Sequence, residues 1–311
     1  MNYPNSATIG GLDISPPWMN ASGFLATAPA LQRFAGYNVG AVVAKTLQTT
    51  EEKGNETPVF VEDGSGNCYN SIGLSGQGVY KFASEMRQYP LPPGKKLVVS
   101  ITSKKSLDDL KAAAEQVLTL ADDFDLILEL NWGCPNVKDG MVVGKTPSLA
   151  YEWTAAVNSM AGRVPVMAKL TPNVEDPAYI QVAQACTDAG ADALVMINTI
   201  AETYNNPHTG RPHFRFGGGK SGHNIFDETI RHVEAAADML SKGSYNTAIG
   251  AVGGIDSSER ARKCFEAGAD FIQSGTYAFL DRPMEIRRRT EPDLETAKDF
   301  FERMHREIYG D

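Results

Sequence analysis

The segment ILELNWGCPNVKDG, residues 127–140, begins as an apolar strand and finishes in Asn131, Cys134 and Asn136, crowded around Gly133 and Pro135. A free thiol is most often a small buried hydrophobe. Flanked by glycine and proline in a loop, Cys134 is instead a candidate for moving a proton. Lys45 and Lys169 directly follow VVA and VMA. An interior strand tolerates an ammonium there only if it meets an anion or an electron-rich group; otherwise the side chain must snorkel to solvent. Asn70, Asn131, Asn136 and Asn198 form a set of amides. Each can donate and accept, so together they suit a flat ring that alternates C=O and N–H groups. Taken singly, each reads as a turn residue.

Glycines make the second set: Gly253-Gly254, Gly275-Thr276 and FGGGKSGH at 216–223, which carries Ser221 and Gly222. Backbone without a Cβ lets N–H groups approach a phosphate closely, and Ser221 and Thr276 add hydroxyls. The helix expected after the third segment points its positive end at the same anion. Three such pieces imply a phosphorylated ligand.

Both sets fall where apolar runs end. Those runs are 16–22, 39–46, 96–102, 125–131, 164–170, 191–198, 247–254 and 270–276. Segments of helical period lie among them at 30–37, 106–123, 148–160, 179–190, 226–240 and 258–268, and 294–310 closes the chain. Buried strands alternating with helices predict an α/β fold, a single (β/α)8 TIM barrel over 1–311, with chemistry at the C-terminal ends of its strands. A doubly wound open sheet is the alternative, but no GxGxxG follows the first strand. DAGADALVM and EAGADFIQSG repeat one helix–glycine–strand turn. The connections 47–95 and 199–224 are too long for plain barrel turns and are expected to fold over the site as lids.

The net charge of −9 argues against a nucleic-acid partner. The cysteines Cys68, Cys134, Cys186 and Cys264 lack the spacing of a zinc or iron–sulfur set, so no metal is expected. Cys68, Cys186 and Cys264 read as structural. No HExxH or GxSxG points to a metalloenzyme or hydrolase. There is no signal-peptide pattern and no apolar run near the ~18–20 residues that span a bilayer, so a cytoplasmic protein without membrane contact is expected.

With these residues assembled, the chain resembles the class 1 dihydroorotate dehydrogenases, soluble FMN-dependent barrels of pyrimidine biosynthesis. The likeness rests on PWMNASG, AKTLQTTEEKGN, YNSIGL, LELNWGCPNV, MAKLTPN, INT, GGGKSG, AVGGI and QSGT, in order, over most of the chain. It implies FMN at the barrel mouth, with Ala21, Ser22, Lys45, Thr46, Ser100, Asn131, Lys169 and Ile197 around the ring and ribityl chain. Ser221, Gly222, Gly253, Gly254, Gly275 and Thr276 would hold the phosphate. The substrate would be held by Lys45, Asn70, Ser71, Ile72, Gly73, Leu74, Asn131, Asn136, Asn198 and Thr199. Cys134 matches the family's base, which removes the C5 proton of dihydroorotate while a hydride leaves C6 for flavin N5; Lys45 would sit beside both rings.

The chain departs from the family in two active-site loops. N-[LI]-S-C-P-N becomes Asn131-Trp132-Gly133-Cys134, losing a hydroxyl and gaining an indole expected beside the base. NSIGL runs into Ser75-Gly76-Gln77-Gly78 instead of a Pro-Asn or Asn-Pro turn. A paralogue acting on another cyclic amide or pyrimidine, a dihydrouridine-type reductase, a sugar-phosphate barrel and a non-catalytic FMN binder are the rival readings. PWMNASG and EKGN resemble the fumarate-using homodimeric branch, whereas NVKDG resembles the branch that passes electrons to NAD through an iron–sulfur and FAD partner. The sequence leans towards a homodimer reoxidised by fumarate.

Overall fold

The computed structural model describes residues 3–133, 142–280 and 294–310. Eight parallel strands form the central sheet: β1 (Trp18–Asn20), β2 (Ala41–Leu47), β3 (Lys96–Ile101), β4 (Leu126–Asn131), β5 (Val166–Lys169), β6 (Ala193–Met196), β7 (Ala248–Val252) and β8 (Phe271–Ser274). Their order is β1-β8-β7-β6-β5-β4-β3-β2. Each apolar run expected to be a strand is one. This is the (β/α)8 TIM barrel.

The seam between β1 and β2 is closed by a side chain. Asn20 donates from Nδ2 to the Val43 carbonyl (2.7 Å) and accepts the Val43 N–H on Oδ1 (2.8 Å). Its amide thus copies the paired bonds that a neighbouring strand would supply. The ladder continues on either side through Gly40 N–H to Trp18 O and Lys45 N–H to Leu25 O.

Alternation along the strands divides the core in two. Val43, Val98, Ile127, Met167, Val195, Val252 and Phe271 point into the barrel, while Val42, Val99, Leu128, Ala168 and Leu194 pack outwards under the helices. Gly250 lies beside Phe271, and a Cβ there would come within 2.4 Å of the ring. An antiparallel hairpin, Ala7–Ile9 with Leu12–Ile14, carries Ile9 and Ile14 into the same interior cluster. It forms a floor that lies outside the eight apolar runs.

The surrounding helices are α1 (Ala28–Ala35), α2 (Val79–Met86), α3 (Leu107–Leu118), α4 (Pro147–Ala161), α5 (Ala178–Asp188), α6 (Phe226–Gly243), α7 (Ser258–Glu266), α8 (Thr276–Leu280) and α9 (Leu294–Tyr309). Helix α2 sits inside a segment expected to be loop. Its buried Val79, Phe82, Ala83 and Met86 have i, i+3, i+4, i+7 spacing, a signal that was present in the sequence. The repeated Gly-Ala-Asp turns work as expected and add a clamp. Gly190 and Gly268 take positive φ (87° and 107°). Asp192 and Asp270 then accept the N–H of Val166 and Ile249, each at 2.8 Å, tying each turn to the adjacent strand.

Both long connections contribute to one antiparallel sheet, ordered Ile200–Ala201, Gly219–Gly222, Asn67–Asn70, Phe60–Glu62. The expected lid loops thus contain short paired strands. Among the described residues, no helix is long and apolar enough to cross a membrane.

Candidate active site at the rim of the barrel

Asn131 ends β4 and is the hub of the rim. Its Oδ1 accepts from Gly133 N–H and from Asn198 Nδ2, both at 3.0 Å, while its Nδ2 donates to Thr46 Oγ1 at 2.9 Å. Thr46 in turn shares a 2.9 Å hydrogen bond with Ser100. Asn198 Oδ1 takes the N–H of Thr199 at 2.8 Å. These bonds fix which way each amide faces. Both Oδ1 acceptors are engaged, and among the described residues each Nδ2 has one partner, leaving an N–H for a carbonyl oxygen on a ligand.

The two lysines differ. Lys169 is buried and does not snorkel: its ammonium donates to Gln273 Oε1 at 2.9 Å, and Gln273 Nε2 donates to Glu129 Oε2 at 2.7 Å. Burial pulls the Lys169 pKa below its usual value and the Glu129 charge pulls it back up. Lys45 is half-buried and donates to Ser75 Oγ at 2.8 Å. Gln273 and Glu129 carry no signal in the sequence, and Ser75 stands out there only as a departure from the family pattern.

The expected substrate segment Asn70–Leu74 is held from several sides. Asn70 Nδ2 donates to Gly219 O (3.2 Å) and Ser71 Oγ to Gly217 O (2.9 Å). Asn55 donates to Ser71 O and Ile72 O, and Lys104 to Gly73 O (3.0 Å) while pairing with Glu52 at 3.7 Å. Leu74 has φ +60°, a left-handed conformation that a branched side chain adopts only under constraint. That turn delivers Ser75 to Lys45. The second lid is anchored by Asn173, which donates to Thr199 O and accepts from Ala201 N–H.

The glycine loops also converge. Ser221 and Thr276 hydroxyls are 2.9 Å apart. Gly222, Gly253 and Gly254 have φ of 103°, 126° and 68°, where a side chain would strain the backbone. A Cβ on Gly254 would also strike the backbone of Phe226 at 2.8 Å, and one on Gly275 the ring of Phe24 at 2.7 Å. The segment 219–222 is a strand, not a loop, and it delivers Ser221 and Gly222 to the start of the turn before α6. Arg260, unforeseen, bonds the carbonyls of His223 (3.1 Å) and Gly254 (2.8 Å) and so ties the two loops together. Ala21 and Ile197 are buried, and Ser22 half-buried, on the loops closing β1 and β6.

Cys134 and Asn136 lie outside the described residues. Of the other thiols, Cys68, Cys186 and Cys264 are all buried, and burial pushes each up to about 12. They are structural, as expected. Trp132 does not turn into the rim. Its indole is 1 % exposed, bonds Thr154 Oγ1 of α4 at 3.2 Å and packs edge-on to Trp153, between barrel and helices. The departure at Gly133 matters more: a Cβ there would lie 2.5 Å from Asn198 Cβ and Nδ2.

The chain matches the family model described as dihydroorotate dehydrogenase over residues 5–294. It is 34 % identical over 298 residues to the "Dihydroorotate dehydrogenase B (NAD(+)), catalytic subunit" of Alkaliphilus oremlandii, covering 94 % of this chain and 92 % of that one. The protein of the same description from Geotalea uraniireducens is 32 % identical over 282 residues, covering 89 % and 88 %. That of Anoxybacillus flavithermus is 34 % identical over 278 residues, covering 87 % and 84 %.

Proposed function

The chain belongs to the dihydroorotate dehydrogenase family, and from that premise we propose that it oxidises (S)-dihydroorotate to orotate in pyrimidine biosynthesis, with FMN as its resident group. The observation that carries the reading is the bonded set Thr46, Ser100, Asn131 and Asn198, drawn from four strand ends to one point on the rim. The amide N–H groups of Asn131 and Asn198 that have no partner among the described residues match ring carbonyls, and the lysines supply positive charge.

The residues fit FMN. Ser221, Gly222, Gly253, Gly254, Gly275 and Thr276 would hold its phosphate, since their open backbone and paired hydroxyls are what an anion needs. Ala21, Ser22, Lys45, Thr46, Ser100, Asn131, Lys169 and Ile197 would line its ring and ribityl chain. Bound there, FMN supplies the two-electron acceptor for the hydride leaving C6. Asn70, Ser71, Ile72, Gly73, Leu74, Asn131, Asn136, Asn198, Thr199 and Lys45 orient the substrate. Cys134 Sγ takes the C5 proton. The lid sheet shields the reacting face from water.

Of the two branches expected from the sequence, the relatives' printed names support the NAD-linked one, in which electrons leave through a partner subunit. Fumarate, with a self-sufficient homodimer, is the alternative. A second substrate reading, another cyclic amide or dihydropyrimidine, is favoured by one contact: Ser75 occupies the Lys45 ammonium where the family has a proline- or asparagine-containing turn. One experiment tests all of these. The purified protein is mixed anaerobically with dihydroorotate, then with fumarate, or with NAD and the partner subunit. Loss of the flavin's visible absorbance is expected, then recovery with NAD and partner. A yellow protein that dihydroorotate does not bleach would overturn the substrate, and a colourless one FMN itself.

A further inference from the structure

We propose that Glu129, acting through Gln273, is the positioning group that holds Lys169 as a cation at the barrel mouth and thereby sets how readily the group bound there takes electrons. The proposal rests on the FMN reading above.

Three strands supply one continuous line inside the barrel: Lys169 from β5, Gln273 from β8 and Glu129 from β4. Glu129 and Gln273 are 0 % exposed and Lys169 is 4 % exposed, so water screens none of them. The Gln273 amide can satisfy a cation at one end and an anion at the other in only one orientation, with Oε1 to the ammonium and Nε2 to the carboxylate. Hydrogen bonds in such a chain polarise one another, and in a low dielectric they transmit charge well. Glu129 is the charged group whose field acts on Lys169. The other strands present Met19, Val43, Val98, Val195 and Val252 to the interior, all uncharged, and the further charge on them at the mouth is Lys45 of β2, a second cation that donates to Ser75.

Glu129 also has an oxygen, Oε1, with no hydrogen-bond partner among the described residues. A buried carboxylate left half-satisfied is unfavourable unless another charge offsets it. Lys169 is that charge, held one amide away. The separation has a consequence. In direct contact, the carboxylate would draw the ammonium down into the barrel; through Gln273, it stabilises the cation and leaves the ammonium near the rim at the end of β5.

A cation beside the bound ring favours the electron-rich reduced form. Without Glu129, burial alone acts on Lys169 and drives it towards the neutral amine. The proton is then lost at lower pH, and the positive charge with it.

The test follows the Lys169 side chain by NMR in protein carrying 13C-labelled lysine, from neutral to alkaline pH, in wild type, Glu129→Gln and Gln273→Met. Gln273→Met keeps both charges and nearly the same volume, so it reports if Glu129→Gln does not fold. Each variant is expected to hold the Lys169 proton about tenfold less tightly, one pH unit on the titration midpoint. With FMN bound, the preference for reduced over oxidised flavin should fall about tenfold at alkaline pH, a drop of ~30 mV for a two-electron couple. Lys169 titrations that superimpose in all three proteins would overturn the relay. A shifted lysine in a protein that binds no FMN would uphold it and remove the FMN reading instead.

Discussion

Asn198 Nδ2 donates to Asn131 Oδ1 at 3.0 Å, joining the ends of two barrel strands 67 residues apart in sequence. Gly133 makes the contact possible. It lies directly against Asn198, and the serine that the family pattern places there has no room for its Cβ. Gly133→Ser is therefore expected to displace the Asn198 amide and lower kcat/KM for dihydroorotate by up to ~10²-fold, the usual penalty for an ångström of misplacement. FMN content should not change. Steady-state kinetics on protein of equal flavin content provide the check, and a variant as active as wild type would show that Asn198 does not hold the substrate.

Replacing Cys134 by alanine should leave FMN bound and slow flavin reduction by dihydroorotate ~10²–10⁴-fold, the range typical of a lost general base. The other thiols cannot substitute, because burial holds Cys68, Cys186 and Cys264 protonated. Stopped-flow traces that overlay those of the wild type would remove Cys134 from the proposed chemistry.

Asn20→Ala removes the side chain that closes the seam and leaves the Val43 N–H and C=O unpaired in a fully buried position. Each unsatisfied buried group costs ~1–3 kcal/mol, so a loss of about 2–6 kcal/mol is expected. Urea unfolding reads this directly. A midpoint within error of wild type would mean that the backbone bonds on either side close the barrel unaided.

His232 is 1 % exposed on α6, against the Tyr179 ring and the carbonyl of Glu228. Burial lowers its pKa, opposed by bonding to the Glu228 carbonyl and by the charges of Glu228 and Asp176, and assisted by Arg231. The unfolded chain protonates near ~6.5 and the folded one only at lower pH. His232 thus contributes stability that is present above the unfolded value and lost as pH falls towards the folded one. His232→Gln should flatten that acid limb in thermal melts taken from neutral to mildly acidic pH. Parallel limbs in the two proteins would assign the acid sensitivity to other groups.

The sequence by itself determined the barrel. Eight apolar runs with helical segments between them are local patterns, and strands of a parallel sheet covered on both faces read as such near-continuous runs. It also determined which polar residues end those strands, because an amide, a lysine or a glycine pair interrupting an apolar run is visible without coordinates. Tertiary structure alone decided how they are used. That Asn20 acts as a missing piece of strand, that Ser75 meets Lys45, and that Glu129 reaches Lys169 through Gln273 depends on contacts between residues 23 to 144 positions apart. The two lids share a sheet for the same reason. Backbone pairing across 149 positions leaves no mark in either segment read singly. The indole of Trp132 teaches the same lesson: sequence shows only that it adjoins the active-site loop, whereas its packing under α4, where the ring sheds most water, depends on Thr154 and Trp153.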